Sequence, residues 1–145
     1  MSGATAVLSS LHATIPNMKI SLFGNPDLPE DNMPHRLKAR LETRFPDISF
    51  VAEDPNELDM PKGTDDWIII DCVRGIKEVM WLTVDDIAEP TTRVTAHDFD
   101  LAAFLLFAKK LNKDICIRIL GIPMPYDEEK ALEETIGCLK FIELT

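Results

Sequence analysis

The chain has 145 residues, of which 46% are hydrophobic and 28% charged, and it carries a formal net charge of −10. That length suits one domain, able to bury roughly two thirds of its unfolded surface or more. The charge excludes the basic footprint a nucleic-acid binder needs to displace counterions. No apolar run approaches the roughly 18 residues needed to span a bilayer, so no membrane insertion is expected. Residues 1–17, MSGATAVLSSLHATIPN, lack the basic start and long apolar centre of a signal peptide. The expectation is a cytoplasmic protein with an N-terminal arm over 1–17, loosely ordered or packed on the domain, and a single domain over 18–145. The acidic surplus fits either a basic partner surface or an ordinary solvated surface. Cys72, Cys116 and Cys138 form no CxxC pair, which supports neither a disulfide framework nor a zinc ribbon.

In chain order, MKISLFGN (18–25) reads as a strand ending at a Gly-Asn turn. Met33, Leu37 and Leu41 then recur at helical spacing. Asp31 or Asn32 can cap that helix, Pro34 suits its first turn, Arg40 and Arg44 suit its end, and Pro46 stops it. ISFVAED (48–54) predicts a second strand, followed by a polar, proline-bearing connection. WIIIDCV (67–73) is a continuous, β-branched apolar run, as expected of a central strand covered on both faces. KEVMWLTVDDI (77–87) reads as a further strand after a tight turn at Arg74-Gly75. DFDLAAFLLFAKKLN (98–112) predicts a deeply packed helix, with Thr95 and Asp98 at capping-box spacing. CIRILGI (116–122) reads as a parallel strand and DEEKALEETIGCLKF (127–141) as a terminal helix.

Alternating strands and helices predict a three-layer α/β/α domain with a mostly parallel, twisted sheet of about five strands and helices on both faces. Ligands of such sheets bind outside the carboxyl ends of the strands. Three segments lead to that rim. The loop after the first strand carries Asp31, the end of WIIID carries Asp71, and the segment before the deep helix carries His97. Two carboxylates and an imidazole suit a divalent cation such as zinc, nickel or manganese, with positions left open for chemistry. Each residue also has a plainer role. Asp31 can cap a helix, Asp71 can accept hydrogen bonds from nearby amides, and His97 can be structural. His35, four residues after Asp31, is a lesser candidate whose ordinary role is a solvated or dipole-facing side chain. Glu30 and Asp27 are loop carboxylates able to assist from further out. No GxGxxG, GxSxG or P-loop occurs, and Cys72 points away from Asp71 on the same strand.

Four ordered blocks carry a resemblance: ISLFGNPDLPED, WIIIDCV, VTAHDFDLAAFL and LGIPMP, with VDDIAEP between the second and third. Together, over residues 18 to about 125, they resemble the hydrogenase maturation proteases, which remove a C-terminal extension from the large-subunit precursor of nickel-iron hydrogenases. The resemblance implies an endopeptidase, with Asp31, Asp71 and His97 as catalytic, metal-facing residues. It implies nickel carried by the precursor as the recognition signal, a site that zinc or cadmium can also occupy, and the precursor as partner of a monomeric protein. Two features depart from the family. Asn32-Met33-Pro34 stands where Gly-x-Gly commonly follows the acidic pair, and residues 1–17 lie outside the family pattern. The first departure keeps open a non-catalytic, chaperone-like protein that binds metal or precursor on the same fold.

Overall fold

Residues 18–54, 66–88 and 101–144 are described by a computed structural model. Their centre is β3 (Asp66–Val73), whose WIIIDCV run is buried throughout. It lies between β1 (Lys19–Leu22) and β5 (Cys116–Pro123), parallel to both. β2 (Ser49–Ala52) extends the sheet beyond β1 in parallel, and β4 (Met80–Leu82) pairs antiparallel with β5. The five-stranded order is β2-β1-β3-β5-β4. The fold is therefore α/β with a mostly parallel sheet, as the alternating pattern predicts.

The unbroken apolar run of β3 follows from coverage on both sides, because successive side chains point to opposite faces. Ile68, Ile70 and Cys72 join a core cluster with Leu37 and Leu41 of α1 (Met33–Arg44) and Ala131, Leu132 and Leu139 of α4 (Glu128–Leu144). Trp67, Ile69 and Val73 join a second cluster with Val84 and Ile87 of α2 (Val84–Ala88) and Leu101, Leu105 and Ala108 of α3 (Leu101–Leu111). Each such valine, leucine or isoleucine contributes about 1.5–3 kcal/mol on full burial. On the second face, buried Ser21 accepts a 2.9 Å hydrogen bond from Trp67 Nε1 and donates to Glu53, which Lys19 also meets.

Several expectations change at the level of elements. The 77–87 segment is not one strand: only Met80–Leu82 pairs, and VDDIA turns into α2. Its cause is a capping box, with Thr83 Oγ1 accepting from Asp86 N–H while the Asp86 carboxylate accepts from Thr83 N–H. The tight turn before it is present, with Gly75 at φ +89°. At α1, Asn32 occupies the N-cap position without a side-chain capping bond, so neither Asp31 nor Asn32 caps the helix as expected. Asn32 Nδ2 donates instead to the Pro26 carbonyl. The described part of α3 is less deeply packed than its composition suggests, since Phe107 is 56% and Leu111 60% exposed. Leu101, Leu105 and Ala108 are buried, Ala102 and Phe104 pack half-buried beside them, and Leu106, Phe107 and Leu111 are exposed. Asp127 caps α4, accepting from Lys130 N–H, and Glu128 and Glu129 suit the positive end of its dipole. Those two glutamates also clasp α1 through Arg36 and Arg40.

Residues 1–17, the 55–65 connection, and 89–100 with Thr95, His97 and Asp98 lie outside the described residues. Among those described, no helix is long and apolar enough to cross a membrane.

Candidate functional site

β1 is short, and the way it ends builds the site. Its ladder to β3 finishes with Phe23 N–H donating to the Ile70 carbonyl at 2.9 Å. The chain then turns at Gly24, at φ +114°. Asn25 closes a tight loop, its side chain accepting from Asp27 N–H and its carbonyl from Leu28 N–H. A 3₁₀ turn over Pro29–Asp31 returns the chain over its own start. The approach is so close that a Cβ on Gly24 would lie 2.3 Å from the Asp31 carbonyl oxygen. Only glycine fits there, on both conformational and steric grounds. The Asp31 side chain is fully buried, and its Oδ2 accepts from Asn25 N–H at 2.9 Å.

Asp71 is fully buried as well. It is not the last residue of its strand, as WIIID suggests: β3 runs on to Val73, with Asp71 opposite Gly121 of β5. It does mark the level at which β1 has left the sheet. Backbone groups alternate sides along a strand, and the Ile70 carbonyl faces β1, so Cys72 N–H faces the same side with no strand left to accept it. Asp71 Oδ1 accepts that N–H at 2.9 Å. The plainer reading of Asp71 is thus met by one oxygen.

Both carboxylates act electrostatically on Cys72, the next residue of β3 after Asp71. Burial, then the charges of Asp71 and Asp31, push its thiol up to about 12, while Met33 N–H and Arg36 act in the opposite sense. Cys72 is therefore a neutral thiol beside two acids, which removes it as a nucleophile. The position is also where chain paths diverge. From β1 the chain passes through α1 to β2 on one side, while from β3 it passes through β4, α2 and α3 to β5 on the other. Ligands of open α/β sheets bind at such a divergence.

Asp31 and Asp71 are thus each fully buried, one in the loop that leaves β1 and the other near the end of neighbouring β3, and His97 lies outside the described residues. Among the described residues no group of three or more His, Cys, Asp or Glu side chains is arranged to hold a metal ion. His35 is half-buried, and its Nε2 lies 2.8 Å from the Gly24 carbonyl oxygen. That nitrogen is engaged with the loop, which argues against it as a metal ligand. Asp27 is exposed, as expected of a loop carboxylate. A separate open groove, lined by Ala39, Arg40, Thr43, Arg44 and Leu132, lies at the opposite end of α1 from Asp31 and offers no carboxylate or imidazole.

Two contributions were not read from the sequence: the Cys72 amide bond to Asp71, and the bond of His35, a lesser candidate for the site, to the Gly24 carbonyl. The second had a readable signal, since a histidine one turn into a helix that follows a glycine-started loop can reach back to that loop. Comparison with protein-family models, curated proteins and solved structures finds no match to the chain.

Proposed function

We propose that the chain is an endopeptidase that removes the C-terminal extension of a nickel-iron hydrogenase large-subunit precursor after nickel insertion, acting in the cytoplasm as a monomer. The observation that supports this reading is the full burial of two carboxylates on segments of neighbouring strands, Asp31 in the loop after β1 and Asp71 near the end of β3. Burying charged groups is costly unless they are hydrogen-bonded or matched by a cation. Asp31 accepts from Asn25 N–H and Asp71 from Cys72 N–H, and carboxylate oxygens are of the type that divalent metals accept.

In this reading the nickel belongs to the precursor, and Asp31, Asp71 and His97 face it as it is presented at the rim. Nickel there would polarise the scissile carbonyl or a water molecule. Asp31 or Asp71 would accept the proton released by the attacking water, the role a positioned carboxylate plays in general base catalysis. Cys72, held as the neutral thiol, offers no competing covalent route.

A second reading, a non-catalytic protein that binds metal or precursor, draws on Asn32 and Pro34. They are the N-cap residue and a buried first-turn residue of α1, where the resemblance implies flexible glycine positions. The deciding experiment mixes the protein with nickel-loaded and nickel-free precursor and follows the C-terminal mass. Loss of the tail from the loaded form alone is expected. Binding without cleavage of either form would overturn the peptidase reading in favour of the second.

A further inference from the structure

The peptide unit between Gly24 and Asn25 is held at both of its ends. Its carbonyl oxygen lies 2.8 Å from His35 Nε2, and its N–H donates to Asp31 Oδ2 at 2.9 Å. A carbonyl only accepts, so His35 carries a proton on Nε2 and is the donor. The C=O and N–H of one peptide are fixed in a common plane and point in opposite directions. Whatever turns the carbonyl away from His35 therefore turns the amide away from Asp31. The local backbone does little to prevent such a turn, since glycine crosses between conformations that other residues cannot share. Gly24 is irreplaceable because of the Asp31 backbone packed on it, so the loop needs an external fixture for this plane.

We propose that His35 is that fixture, a positioning residue that aims the Asp31 carboxylate through the Gly24–Asn25 peptide. The imidazole is placed for the task. It stands in the first turn of α1, a rigid element anchored by Met33, Leu37 and Leu41 in the core, and its half-burial limits competition from water. In this role His35 acts at one remove, through the loop. Its effect on cleavage rests on the peptidase reading above, whereas the peptide clamp itself does not.

The test uses the full chain with His35→Ala and His35→Gln. Glutamine retains an N–H donor for the Gly24 carbonyl, and alanine does not. Hydrogen exchange and the chemical shift of the Asn25 amide are read by 1H–15N NMR, with the Ile69 amide of β3 as internal control. In H35A the Asn25 amide is expected to exchange faster by roughly tenfold, the scale of one lost hydrogen bond, with Ile69 unchanged. H35Q is expected to restore most of the protection. An Asn25 amide with unaltered exchange and shift in H35A would overturn the clamp. With nickel-loaded precursor, H35A is expected to lower kcat while leaving KM, and H35Q to recover it; wild-type kcat in H35A would overturn the role in cleavage. If the unmodified protein cuts no precursor, the peptidase reading fails alone, and the Asn25 amide still decides the clamp.

Discussion

Asp71 sits inside an eight-residue strand that pairs with β5 along its full length. Asp31 ends a three-residue turn whose shape depends on Gly24, Asn25 and His35. Both side chains are fully buried, yet one position is set by a sheet ladder and the other by a folded-back loop. The difference teaches where the site is robust. Changes around Asp71 must disturb the core to move it, while changes around Asp31 need only alter a loop.

Removing either charge should have the largest effect. Asp31→Asn and Asp71→Asn are each expected to lower processing of the loaded precursor by about 10²–10⁴-fold, the range for a positioned acid-base group. If only one of them matters, the two carboxylates do not act on the same reaction. The next comparison is between two glycines. Gly24→Ala forces a side chain into a left-handed conformation and against the Asp31 backbone at 2.3 Å. It should destabilise the protein by about 3 kcal/mol or more, as denaturant unfolding would register. Gly121→Ala, directly beside Asp71, meets only side-chain ends, with Leu82 Cδ1 nearest at 2.9 Å. Those can shift, so a cost of about 1–2 kcal/mol is expected. Equal losses would erase the distinction between loop and strand.

The smallest effect is the pH dependence of Cys72. Its thiol is raised from 9.0 to about 12, by burial first and the two acids second. In the unfolded chain it ionises near the lower value. The unfolded state therefore holds fewer protons between those limits, and stability is complete below pH 9 and falls as pH rises toward 12. In Cys72→Ala the decline should be shallower by about 1–3 kcal/mol across that window. Urea midpoints at pH 8 and pH 10.5 measure it, and parallel declines would mean that neither burial nor the acids raise this thiol.

Much of the framework was legible in the sequence because it rests on periodicity. The WIIIDCV run marked the central strand, and the spacing of Met33, Leu37 and Leu41 marked α1. Where local chemistry overrode pattern, the reading failed. VDDIA continued an apolar strand by eye, yet the Thr83–Asp86 exchange of hydrogen bonds wound it into α2. The candidate site was half legible. Asp31 and Asp71 could be placed at a rim, because parallel strands end together. Neither the strand's continuation past Asp71 nor the double hold on the Gly24–Asn25 peptide could be read, since both depend on where β1 stops.

The parallel order also governs when the site can exist. Ile20 pairs with Ile68, and Asp66 with Cys116, so each central ladder joins segments far apart in the chain. Such pairings require closing long loops before any contact is gained, which slows folding relative to local hairpins and helices. No fragment containing only β1 and α1 brings Asp31 to Asp71. During refolding, any property that needs both acids should recover with the slow assembly of the sheet, after helical content has already returned.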